Sequence, residues 1–170
     1  MTGARHPRLV VGLDPGLACT GWGLVRSEGS RLSHLGHGRV ETDARDTLPE
    51  RLAALHRGLA AVLALNQPTE AAVEEVFLNR NPRSSLALGQ ARGVVLLAAA
   101  EAGLPVAEHA PRRIKKALVG TGAADKRQVM AMVARLLPGC GPLEEDEADA
   151  LAVAIAHAHL TARAAGLAAA

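Results

Sequence analysis

The hydrophobic period of this chain changes near residue 47, and that change decides its fold class. Before it, apolar residues come in strand-length runs. Residues 8–13 (RLVVGL) are short, apolar and closed by the turn-forming Asp14-Pro15-Gly16, which reads as a buried strand. A second strand is expected over 20–27 and a third over 31–41, with Gly29-Ser30 turning the hairpin between them. From 47 to 66, Leu48, Leu52, Leu55, Leu59, Val62 and Leu65 recur at three and four. That spacing predicts an amphipathic helix ending near Asn66-Gln67-Pro68. Beyond it, AAVEEVF (71–77) reads as a fourth strand, 83–102 as a helix and LPVAEH (104–109) as a fifth strand. Helices are expected near 111–118, 124–137 and 144–163, and the alanine-rich tail after His159 reads as a frayed end. Three strands in succession, then strands alternating with helices, predict an α/β sheet with an antiparallel hairpin on one side.

The 170 residues suit a single domain spanning 1–170, long enough to bury a substantial core. With 49% hydrophobic and 21% charged residues the chain is globular rather than disordered. Trp22 and Phe77 are its only aromatics, so Ala, Leu and Val must fill the core. A net charge of +2 names no partner by itself, because nucleic-acid binding needs the charge concentrated locally. Cys19 and Cys140 are too few for a stapled scaffold or an unaided zinc site and read as free thiols. No run is apolar and long enough for a signal peptide or a bilayer span, so the expectation is a cytoplasmic protein with no membrane partner.

Acidic residues stand where they are expensive. Asp14 closes an apolar strand that belongs in the middle of the sheet, and the carboxyl end of a central strand is where open α/β sheets take ligands. Glu74 and Glu75 interrupt the fourth strand; neighbours on a strand face opposite ways, and spacing alone leaves open which of them points at Asp14. Asp146 and Asp149 are three apart at the start of the last helix and share a face, although acidic residues also favour helix N-termini for dipole reasons. Three segments thus deliver oxygen ligands with no nearby Cys or His cluster, a set that suits Mg²⁺ or Mn²⁺ rather than zinc. Clustered carboxylates repel one another unless a cation sits among them. Two such ions can clamp the attacking and leaving oxygens of a phosphodiester.

VVGLDPGLACTGWGLV (10–25), AAVEEVFLNRNPRSSLALGQARG (71–93) and EADALAVAIAHAH (147–159) resemble, in order and separation, the three signature blocks of the RuvC family of Holliday junction resolvases. The resemblance runs over nearly the whole chain. It implies an RNase H-like fold with a five-stranded mixed sheet. It implies a metal-dependent endonuclease that resolves four-way DNA junctions in recombination and repair by paired nicks, leaving 5′-phosphate and 3′-hydroxyl ends. Carried over position by position, it assigns the catalytic, metal-binding carboxylates to Asp14, Glu74, Asp146 and Asp149, with two Mg²⁺ or Mn²⁺ ions per site. It also implies a homodimer and the RuvA–RuvB branch-migration complex as a partner.

Arg112, Arg113, Lys115 and Lys116 crowd the start of one helix, with Lys126 and Arg127 a short way on. The resemblance marks Lys115 and Lys126 as phosphate contacts; Arg80, Arg83, Arg112 and Lys116 extend the expected DNA-binding set. Such contacts give salt-sensitive affinity without reading sequence. Phe77 is expected to stack on an unpaired base at the junction centre, and Trp22 to serve packing. His157 and His159, two apart on a helix, do not share a face and read as structural or surface residues. Leu86, Gly89, Gly93, Leu96, Leu97 and Ala100 make the 83–102 helix apolar over more of its circumference than one sheet face needs, the expected dimer patch. An actin-like nucleotide-binding protein would need two such domains around a cleft. An RNA-directed relative would not need the 83–93 block or Phe77. A junction-binding module without catalysis would have no use for four carboxylates.

Overall fold

The computed structural model describes residues 7–75 and 81–167, with 163–167 as backbone alone. The expected elements appear in the expected order: β1 (Arg8–Asp14), β2 (Cys19–Glu28), β3 (Arg31–Glu41), α1 (Leu48–Asn66), β4 (Glu70–Glu74), α2 (Pro82–Glu101), β5 (Val106–His109), α3 (Pro111–Val119), α4 (Lys126–Leu136) and α5 (Glu145–Leu167). The five strands lie in the order β3-β2-β1-β4-β5, with β1–β2 and β2–β3 antiparallel and β1–β4 and β4–β5 parallel. Strand β1 is therefore central, as its uninterrupted apolar run requires.

The period of two along the strands sorts the core into two layers. Val10, Val25 and Ala72 face α3, α4 and α5, while Val11, Leu13, Leu24, Ala71 and Val73 face α1 and α2. Trp22 packs with the second layer and lies over Gly36 and Gly38 of β3. Helix α5 comes unusually close to the sheet. A β-carbon on Gly12 would collide with the Ala150 carbonyl oxygen, and one on Gly21 with the Asp146 carbonyl oxygen. Glycine at these two positions lets a helix backbone rest directly on strand backbone.

Three details differ from the sequence expectations. On α1 the buried stripe runs Leu55, Leu59 and Leu63, and Leu65 is 84% exposed, because the helix turns that residue outward beyond the edge of the sheet. Helix α4 starts at Lys126, two residues late, where Asp125 and Gln128 form a reciprocal capping box. The alanine-rich tail continues α5 to Leu167 instead of fraying after His159.

Candidate active site

Strand parity decides which glutamate faces which side. Ala72 belongs to the α5 layer and Ala71 and Val73 to the other, so Glu74, two beyond Ala72, faces α5 and Glu75 does not. On β1, Val10 faces α5 by the same alternation, and Asp14 follows it four residues on. The first turn of α5 brings Asp146 over Gly21, which pairs with Asp14 across the β1–β2 ladder. Asp14, Glu74, Asp146 and Asp149 thus meet on one side at the carboxyl ends of β1 and β4.

Their electrostatics are those of an uncompensated anionic cluster. Asp14 is pushed up to about 8, first by burial and then by the charges of Asp149, Glu74 and Asp146. Glu74 is raised to about 7, again by burial first and Asp149 second, with Lys115 and Lys126 opposing. Burial also raises Asp149, and Lys126 pulls it back. Proximity to Asp146 shows on a neighbour as well. The Cys19 thiol is pushed up to about 12, chiefly by burial and next by donating its hydrogen to the Asp146 carboxylate, so it stays an inert thiol. Among the described residues no three acidic, histidine or cysteine side chains yet converge tightly enough to grip an ion. The donor set nonetheless fits a hard divalent cation. Its ligands are all oxygen, and positive charge among them would offset both the burial and the mutual repulsion that raise Asp14 and Glu74.

A cavity of about 210 Å³ opens beside the cluster, lined by Glu74, Asp149, Lys115 and Lys126 together with apolar Ile114 and Val153. A wider cavity, about 530 Å³, lies between the ends of α1 and α2, lined mainly by alanines and leucines; it holds no comparable cluster. Of the expected DNA contacts, the structure brings Lys115 and Lys126 to the carboxylates. Lys126 also pairs with Glu145, which raises its own pKa. Lys116 is on the other side of α3, in a groove with His159 and the Gly29-Ser30 turn. Arg112 is exposed at the start of α3. Arg83 lines a separate groove with Leu17, Arg51 and Leu86. Phe77 and Arg80 lie outside the described residues.

Sequence reasoning missed a polar chain that is buried at His157 and His109 and part-exposed at Arg8 and Glu70. Arg8 Nε donates to Glu70 Oε1 (2.5 Å), His157 Nε2 lies 3.0 Å from Glu70 Oε2, and His157 Nδ1 lies 2.9 Å from His109 Nε2. The one signal for it was a charged residue at the start of a short apolar strand, Glu70.

Comparison with known proteins places the chain in one family. Residues 10–157 match the family model for the crossover junction endodeoxyribonuclease RuvC. The chain is 58% identical over 151 residues to the RuvC of Sphingopyxis alaskensis, covering 89% of this chain and 97% of that one. It is 58% identical over 160 residues to the RuvC of Zymomonas mobilis, covering 94% and 96%. Among solved structures, Thermus thermophilus RuvC in complex with a Holliday junction substrate superposes with a TM-score of 0.86 at 36% identity, over 92% of this chain and 96% of that one. A yeast mitochondrial Holliday junction resolvase shares the fold with a TM-score of 0.68 at 14% identity.

Proposed function

The chain belongs to the RuvC family of crossover junction endodeoxyribonucleases, and from that premise we propose that Asp14, Glu74, Asp146 and Asp149 form the hydrolytic site with which a homodimer resolves four-way DNA junctions. It has the RNase H-like fold of its relatives and is a metal-dependent nuclease of recombination and repair. The single observation carrying the site assignment is that carboxylates from β1, β4 and α5 meet on one face beside Lys115 and Lys126.

Asp14, Glu74 and Asp149, with Asp146 beside them, would hold two Mg²⁺ or Mn²⁺ ions. When bound, the ions supply an activated water and neutralise the charge that develops on the phosphate. The protein's own part is positional. Asp14 keeps a proton near neutral pH until positive charge arrives, so loading the site releases protons. Lys115 and Lys126, which line the same cavity, orient the phosphodiester, and the apolar lining of Ile114 and Val153 limits bulk water there. Cleavage leaves 5′-phosphate and 3′-hydroxyl ends. Arg83, Arg112 and Lys116 extend phosphate contacts along the arms, Arg80 adds to them, and Phe77 stacks at the junction centre.

Dimerisation follows from α2. Its inward face carries Ala91, Val95, Ala98 and Ala99, leaving Leu86 64% and Leu97 50% exposed. Between them a β-carbon on Gly89 or Gly93 would meet open space. A second copy packed on this stripe places two sites about a two-fold axis, the relation that paired nicks need. Residues 1–170 act as one nuclease domain. Family membership adds the RuvA–RuvB complex as supplier of the junction, and a chromosomal substrate implies a cytoplasmic site of action. Among the described residues no helix is long and apolar enough to cross a membrane.

The test is a substrate panel in Mg²⁺, Mn²⁺ and EDTA: a four-way junction, a linear duplex and an RNA–DNA hybrid. Paired nicks confined to the junction and abolished by EDTA are expected. Preferential cutting of the hybrid would assign the site to RNA, and metal-independent or absent cutting would reject it.

A further inference from the structure

The face that α5 lays on the sheet runs Asp146, Ala150, Ala154 and His157, three or four residues apart. At its centre Ala150 and Ala154 rest on the backbone of Gly12. Alanine against glycine is smooth, so at this contact with β1 packing shape does little to oppose sliding along the helix axis, whereas on β2 the Leu151 side chain seats over Gly23. Yet a slip of one turn would carry Asp146 and Asp149 about 5.4 Å away from Asp14 and Glu74. Leu151 seats α5 against β2; its seat on β1 and β4, the strands that carry Asp14 and Glu74, needs a tie of its own.

His157 is the one polar residue of that stripe inside the core, only 5% exposed. We infer that the Arg8–Glu70–His157–His109 chain is a register lock, and that His157 is a positioning residue which sets where the α5 carboxylates stand against those of β1 and β4. The inference rests on the active-site assignment above. The chain ties α5 to β1 through Arg8, to β4 through Glu70 and to β5 through His109. Glu70 and Glu74 are the two ends of β4, and His109 is the strand partner of Glu74. The same two strands that present the sheet-borne carboxylates therefore hold the helix.

The hydrogen-bond directions are set from one end. Glu70 is held low, to about 2: burial opposes this, but the bonds from His157 and Arg8 overcome it. It is therefore an anion and only accepts, so His157 Nε2 carries a proton toward it. His109 is held neutral, with its pKa lowered to about 4 mainly by burial and next by His157 and Arg113. With His109 Nε2–H donating to His157 Nδ1, the buried His109 Nδ1, which has no partner among the described residues, is left as a bare acceptor. The reverse direction would strand a buried N–H, the costlier orphan. A buried charged chain is a poor source of net stability, because desolvation offsets its attraction. Its use is directional: hydrogen bonds fail within a fraction of an ångström, where alanine on glycine does not.

The experiment uses the full-length protein with a four-way junction. His157→Leu keeps volume and removes both bonds; His157→Gln can accept from His109 and donate to Glu70. The lock predicts that His157→Leu folds and binds junction in EDTA within about twofold of wild type, with KM unchanged. Its kcat should fall tenfold or more, and Mn²⁺ affinity of the DNA-free protein, read by electron paramagnetic resonance, should fall several-fold. His157→Gln should recover most of both. Wild-type kcat and Mn²⁺ affinity in His157→Leu, or equal losses in the two variants that track the folded fraction, would overturn it. If His157→Leu does not fold, Glu70→Gln, whose one carbonyl oxygen can still accept from His157 although the Arg8 bond is lost, against Glu70→Ala decides. Rescue of kcat by Gln alone supports the lock, and equal values reject it. A wild type that cannot cut the junction would instead sink the functional reading.

Discussion

Replacing Asp14 with asparagine should make the metal-free protein more stable while destroying its chemistry. The magnitude comes from the electrostatics of the cluster. Asp14 titrates near 8 in the folded chain against an ordinary 3.8, so its folded pKa is raised. Such a group does no harm below its unfolded pKa, and its cost grows as pH rises from about 4 toward 8, where the fold must accept a charge it disfavours. At pH 7 the difference of roughly three units corresponds to about 4 kcal/mol at 1.36 kcal/mol per unit, less whatever the partly wet site screens. Asparagine has the same shape and no charge. For a chain of this size the gain would be about 5–10 °C in Tm at pH 7. The assay is thermal or urea unfolding in EDTA at pH steps between 4 and 8. The gain should vanish near pH 4 and grow with pH. A variant that is destabilised, or stabilised equally at every pH, would refute the claim that Asp14 is a buried carboxylate in an unneutralised acidic cluster.

Lys115→Ala and Lys126→Ala should each weaken junction binding or turnover and lower the slope of log affinity against log salt by about 0.9, whereas Arg57→Ala, exposed on α1, should do much less. Equal effects from all three would mean that the charge acts diffusely. Gly12→Ala should cost at least about 1–3 kcal/mol in urea unfolding, since the new methyl meets α5 backbone that must move; an unchanged melt would show that α5 does not rest on β1. Leu97→Glu should shift the protein to monomer in sedimentation and uncouple the two nicks, and a dimer that survives this change would place the interface elsewhere.

The fold was legible because each element declared its period locally. Val10 to Leu13 could only be a buried strand, and the leucines from 48 to 63 only a helix. The site was legible in part. Asp14 stood out as a charge ending an apolar strand, but strand periodicity alone could not tell Glu74 from Glu75; the family resemblance picked Glu74, and Ala72 on the α5 side supplies the physical reason. Lys115 and Lys116 are equivalent by charge pattern alone, and only the family resemblance singled out Lys115. A rotation of one residue around α3 sends the first to the carboxylates and the second to another groove. His157 read as structural or surface because its partners, Glu70 and His109, are 87 and 48 residues away, and no local pattern announces a contact at that separation.

In the proposed site, Asp14 belongs to the hydrolytic centre and not to the grip on DNA. The direct measurement is binding and cleavage of one end-labelled four-way junction by wild type and Asp14→Asn side by side in Mn²⁺. Full junction affinity with no nicked product from the variant is the predicted result. Cleavage at a rate near wild type, at the same strand positions, would contradict it.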